Sequence, residues 1–272
     1  MTADVSSLIG RRAETAFVAD LLADASAAGL VLAGPPGVGK SALLAASLGI
    51  AREAGAAAVA VRAAPTSPPA PFEALGPVLD GARTWAAARR ELARRAAAGL
   101  RLVLGVDDAH RLDEASAALL HDEALAGRAL VLLAVGGPAG GPAAAALVGE
   151  ARFERLDLAG LAPDETGELA EALLGAPVEV RTRARLWRDS GGNPLHLREL
   201  IAHGQAAGSL ARHADGWRID PDRWAPAALD ELVRVRLDHA PRGALNALAL
   251  VAADEPLEAA AARAVLGGDA LA

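Results

Sequence analysis

The chain contains no cysteine and no tyrosine, and its 272 residues include one methionine and one lysine. The lack of cysteine excludes disulfides and cysteine-held metal or iron–sulfur centres, and it suits a reducing, cytoplasmic setting. Aromatic residues make up 3% of the chain while 53% is hydrophobic, so the core must be built from Ala, Leu and Val. The net charge of −7 argues against non-specific nucleic-acid binding by the chain as a whole. No signal peptide is expected, because MTADVSSLIGRRAE turns charged before any apolar run develops. Residues 129–149 carry no charge and are long enough to cross a bilayer. However, Gly136, Gly137, Pro138, Gly140, Gly141 and Pro142 interrupt them, and the expected reading is a buried strand, a loop and a short Ala-rich helix, with no membrane partner.

The one lysine is informative because of its place. Lys+Arg total 27, so the other 26 (27 − 1) basic residues are arginines, and Lys40 alone breaks the habit, within GPPGVGKS at Gly34–Ser41. Lysine is a compact ammonium on a flexible stem and arginine a wide planar fork. A backbone wrapped tightly around a phosphate accepts the first more readily than the second. The spacing G-x-x-x-x-G-K-S matches the phosphate-binding P-loop, which a chain of this composition would carry by accident roughly once in 10³. Gly34, Gly37 and Gly39 can adopt positive φ, and successive N–H groups then form an anion-binding concavity at a helix N-terminus. Gly34, Pro35, Pro36, Gly37, Val38, Gly39, Lys40 and Ser41 are therefore candidate nucleotide-binding residues. In this reading Lys40 reaches the β- and γ-phosphates and Ser41 holds Mg²⁺.

The surroundings fit a strand–loop–helix unit. Apolar runs at 30–34, 57–62, 101–108, 129–135 and, more weakly, 153–158 read as strands, with helical patterns between them at Thr84–Ala98 and Asp113–Ala126. This alternation predicts an α/β fold with a parallel sheet covered on both faces. The stretch APTSPPAP, 64–71, reads as a surface loop. After about residue 160 no further strand is expected. Helices are predicted from Pro163 to Gly175, then over 179–190, 194–207 and 226–239. The expected organisation is a P-loop NTPase domain over 1–160, an all-α helical subdomain over 161–225, and a third region over 226–272.

A phosphate loop needs an acidic partner for its metal and water, and in open α/β sheets that group stands at the C-terminal end of a strand. LVLGVDD supplies Asp107 and Asp108. Asp107 is the candidate Mg²⁺ ligand, direct or through water, and Asp108, with Lys40, the candidate catalytic group, placed to orient or deprotonate water. His110 reads as structural, and Asp113 as the cap of the following helix.

LIGRRAE, VDDAHRLDEASAALL and SGGNPLHLRELI, in this order, resemble the STAND signalling ATPases, most closely the ATPase region of large LuxR-type transcriptional regulators. The resemblance runs from Leu8 to about Ala253. It implies an AAA+-like core with a five-stranded sheet, a helical subdomain and a winged helix, whose start is LDELVRVRLDHAPRGALNALALVAAD. It implies further that the backbone near Ile9 and Gly10 lies against adenine and that Pro194 of GGNPL touches the base; read alone, GGNP is an ordinary helix-linking turn. The family's arginine after the fourth strand is replaced here by Gly136, and no arginine follows until Arg152, which predicts slow hydrolysis. The chain ends at Ala272 inside the segment resembling the winged helix, as an excised piece or a truncated protein would, without the family's DNA-reading helix-turn-helix.

The resulting expectation is a regulatory switch module that binds ATP or ADP with Mg²⁺, forms a nucleotide-dependent homo-oligomer and does not itself bind DNA. Two other classes stay open: a P-loop enzyme such as a small-molecule kinase, and an interaction module that keeps nucleotide without hydrolysing it.

Overall fold

The computed structural model describes residues 8–63, 71–82, 84–96, 101–136 and 152–224. Five of its strands run parallel: β1 (Gly29–Gly34), β2 (Ala57–Arg62), β3 (Leu102–Asp107), β4 (Ala129–Gly136) and β5 (Phe153–Asp157), in the spatial order β2-β3-β4-β1-β5. The central strands β1, β3 and β4 are almost uniformly buried, which is why they appear in the sequence as unbroken apolar runs rather than alternating ones. The two edge strands have weaker patterns because part of each faces solvent.

Neighbouring side chains along each strand go to opposite faces. Val31, Leu104, Val131 and Leu133 share one core with Leu75 and Leu79 of the α3 region (Gly76–Leu79), Leu92 of α4 (Trp85–Ala96) and Leu119 and Leu120 of α5 (Glu114–Leu125). Leu30, Leu32, Val103, Leu130 and Leu132 share the other with Val18 of α1 (Arg12–Ala23) and Leu43 and Leu48 of α2 (Lys40–Glu53). Each fully buried leucine contributes about 1.5–3 kcal/mol, so a mostly aliphatic core suffices with few aromatics.

The chain continues into α6 (Pro163–Leu174), α7 (Val180–Ser190) and α8 (Pro194–Ala206). Pro163 opens α6, and Gly175, in the left-handed region at φ 66°, ends it. These helices enclose a third core of Ala170, Val178, Leu186, Leu197, Leu200, Ile201, Leu210 and Trp224. The expectation of no strand after residue 160 is corrected here: β6 (Leu210–His213) and β7 (Gly216–Ile219) form an antiparallel hairpin. Its four-residue strands carry only Leu210, Trp217 and Ile219 as large apolar residues, all turned toward the third core. The helix expected over 226–239, the Ala-rich helix expected before residue 150 and the region 226–272 lie outside the described residues.

Candidate functional site

The register of the sheet brings the critical residues to one edge. Gly34 pairs with Gly136 and Arg62 with Asp107, so the ends of β1, β4, β2 and β3 lie side by side at the C-terminal edge. The phosphate loop leaves β1 there and turns into α2, whose first residue is Lys40. Gly37 and Gly39 adopt φ 78° and 107°, the left-handed backbone that the spacing anticipates.

The Lys40 ammonium folds over the loop and donates to the carbonyls of Gly34 and Pro35, each at 2.8 Å. Burial draws its pKa below the ordinary lysine value, while the negative charges of Asp107 and Asp108 work in the opposite direction. One residue on, Ser41 Oγ donates to Asp107 Oδ1 at 2.8 Å. A hydroxyl and a carboxylate oxygen thus converge at the base of the loop, the hard oxygen chemistry that suits Mg²⁺. The Asp108 N–H donates to the same Asp107 oxygen at 3.0 Å, and Asp108 itself has φ 53°. This left-handed conformation is uncommon outside glycine, although Asp tolerates it better than most residues. It turns the chain directly into the short 3₁₀ segment Ala109–Arg111.

Arg62, at the end of β2, donates through Nε to Asp108 Oδ2 at 3.3 Å and lies 4.0 Å from Asp107 Oδ2. Its side chain is 74% exposed, so the pair is solvent-screened and free to rearrange. Sequence reading missed Arg62, although the signal resembled that of Asp107: a charged residue ending an apolar run.

Gly136 ends β4 beside the loop, and its N–H donates to His110 Nδ1 at 3.4 Å. A Cβ at position 136 would lie 3.4 Å from His110 Cε1, so a longer side chain would start in contact with the imidazole. Arg152 is no substitute cation. It donates to the carbonyls of Ser26 and Leu125, at the opposite end of the sheet. Asp113 caps α5 by accepting from Ser116 N–H at 2.8 Å. It also accepts from the N–H groups of Phe72 and Ala74, a role the sequence did not reveal.

Two segments support the loop from outside. Arg11, 6% exposed, donates through Nη2 to the carbonyls of Val38 at 3.0 Å and Ala159 at 2.6 Å, and through Nη1 to Glu14 Oε1 at 2.6 Å. From the helical side, Asn193 Nδ2 donates to the Pro36 carbonyl at 2.8 Å, and Pro194 begins α8 immediately after it. Pro194 is thereby placed next to the loop. Gly10, at φ 77°, packs on Leu161 and Glu165 at the start of α6. Ile9 and Gly10 line a cavity of about 430 Å³ with Leu8, Arg12, Thr15 and Glu168, and no residue of the phosphate loop is among its walls. Among the described residues no helix is long and apolar enough to cross a membrane.

No protein-family model matches the chain, and no curated protein matches it. Among solved structures it is similar to variants of Thermotoga maritima RuvB. One shares 19% identity at a TM-score of 0.53, covering 98% of this chain and 85% of that one. Another shares 17% identity at a TM-score of 0.55, covering 98% of this chain and 86% of that one. The chain has the AAA+ P-loop fold: a five-stranded parallel sheet with flanking helices, followed by a helical subdomain.

Proposed function

We propose that the chain is a nucleotide-binding regulatory switch of the STAND type. It binds ATP or ADP with Mg²⁺ at the loop Gly34–Ser41, and nucleotide exchange or slow hydrolysis alters the seat of the helical subdomain. The observation that carries this reading is the 2.8 Å bond between Ser41 Oγ and Asp107 Oδ1, which unites the phosphate loop with the acidic strand end. The Mg²⁺ ion would be held by Ser41 and Asp107 and would neutralise phosphate charge. Lys40 would swing from the loop carbonyls to the β- and γ-phosphates. Asp108 would orient water once Arg62 releases it. Ile9, Gly10 and Pro194 would meet the base.

The switch role is supported by direct contact between the helical subdomain and the loop at Asn193. A ligand shifts an equilibrium only by its differential affinity for the two states, and a loop touched by both units is where such a difference arises. Gly136 favours a second reading, in which the nucleotide is retained without turnover and a neighbouring copy of the chain completes the site. Transcriptional control by a longer protein, without direct DNA contact by this chain, is the proposed setting. Identification of the nucleotide released by gentle denaturation, followed by ATP turnover with and without candidate phosphoryl acceptors, tests the reading. Bound adenine nucleotide with slow, acceptor-independent turnover is expected. Acceptor-dependent turnover would make the chain a kinase instead.

A further inference from the structure

The phosphate loop is gripped by its carbonyls. Asn193 Nδ2 donates to Pro36 at 2.8 Å, the Leu195 N–H to Gly37 at 3.3 Å and Arg11 Nη2 to Val38 at 3.0 Å. A trans peptide is planar, and its C=O and N–H point to opposite sides. Pinning the Pro36 carbonyl outward toward α8 therefore sets the direction of the Gly37 N–H, which has no protein acceptor among the described residues.

Asn193 is suited to hold this plane rigidly. It is 8% exposed, and its Oδ1 is engaged at the start of α8, accepting from the N–H groups of Leu195 at 3.0 Å and His196 at 3.4 Å. The amide is thus fixed at its oxygen by the helix and at its nitrogen by the loop. Packing closes the remaining freedom, since a Cβ at position 37 would lie 2.6 Å from Leu195 Cβ and 2.8 Å from Asn193 Oδ1.

We propose that Asn193 is a positioning residue for the nucleotide phosphates: it holds the Pro36–Gly37 peptide so that the Gly37 N–H faces into the phosphate cradle. The proposal rests on the nucleotide-binding reading above and names the side chain through which the helical subdomain sets phosphate affinity. The loop's N–H groups cradle the α- and β-phosphates. The proposal assigns the Gly37 N–H to the β-phosphate, so loss of the Asn193 amide weakens ADP and ATP more than AMP, which engages only the α-phosphate part of the cradle.

The test is titration of ATP, ADP and AMP, with Mg²⁺, into the parent and Asn193→Ser. Serine is an equally good helix cap but is too short to reach Pro36. The expected result is a loss of about fivefold in ADP and ATP affinity, the worth of one net hydrogen bond, with AMP changed less than twofold. Unchanged ADP and ATP affinity would overturn the proposal, as would an equal loss for AMP. A parent that binds no nucleotide would instead overturn the reading beneath it. Should Asn193→Ser fail to fold, the amide resonance of Gly37 in the unaltered protein decides. ADP is expected to move it downfield further than AMP does, and an amide that ADP leaves in place would refute the role.

Discussion

Ser41 Oγ and Asp107 Oδ1 lie 2.8 Å apart although 66 residues separate them in sequence. The bond joins the first turn of α2 to the end of β3, and the Asp108 N–H shares the same oxygen. The two acids consequently have different surroundings: Asp107 faces the loop, and Asp108 faces Arg62. Asp107→Asn is expected to weaken Mg²⁺-dependent nucleotide binding by about tenfold or more, since a charge at the metal is lost. Asp108→Asn is expected to leave binding within about twofold and to lower turnover by about 10²-fold, in the range of a lost general base. Parallel binding titrations and single-turnover assays separate the two, and equal losses of binding in both variants would refute the division of roles.

Asp113 ties the segment at Phe72–Ala74 to α5, accepting from two N–H groups there and from both N–H and Oγ of Ser116. Burial alone would raise its pKa, but the bonds from Ser116, Phe72 and Ala74 outweigh it and leave the carboxyl below the usual aspartate value. A depressed native pKa means that the unfolded state binds the proton more readily. The stability Asp113 supplies is therefore fully present above the unfolded value of about 3.9 and lost as pH falls through the lower native value. Asp113→Ala is expected to cost about 0.5–2 kcal/mol at neutral pH, as for a lost helix cap, and to flatten the acid limb of the stability curve below about pH 4. Urea unfolding of both proteins from pH 7 to pH 3 checks this, and identical acid limbs would contradict it.

Hydrolysis is expected to be slow because β4 ends in Gly136, which has no side chain to place a cation there. The imidazole of His110 lies against Gly136 instead. Gly136→Arg alone is expected to bring the smaller gain, since its stem would start in contact with that ring and must pass it. Combined with His110→Ala it is expected to raise single-turnover hydrolysis by about 10–10²-fold, somewhat below the worth of one preorganised transition-state donor. A parent that already turns over several times per second would remove the premise.

The sheet was legible because strands buried on both faces cannot tolerate polar residues, so β1, β3 and β4 stood out as apolar runs. The phosphate loop was legible because its chemistry is local: eight adjacent residues, Gly34–Ser41, carry it. Arg62 was not read because its meaning lies in strand register, with Arg62 opposite Asp107, and register is set by tertiary pairing. Asn193 looks like a turn residue within GGNPL, because its amide finds Pro36 only through a contact 157 positions away in sequence. Arg11 likewise follows Ile9 and Gly10 directly, while its partner carbonyls at Val38 and Ala159 are remote in sequence. The β6–β7 hairpin was missed because its polar residues, Arg212 on the same face as Leu210 and His213 and Arg218 on the other, dilute a pattern only four residues long on each strand.

Lys40 Nζ sits 2.8 Å from the carbonyl oxygens of both Gly34 and Pro35, a position for a point charge rather than a planar fork. The decisive measurement is titration calorimetry of Mg²⁺–ADP and Mg²⁺–ATP into the parent, Lys40→Ala and Lys40→Arg, with folding of each checked by thermal melting. The expected result is saturable one-to-one binding by the parent, its loss in Lys40→Ala, and at least about tenfold weaker binding by Lys40→Arg, since the two cations are not interchangeable. Binding by folded Lys40→Ala at the parent's affinity, or no binding by the folded parent, would contradict it.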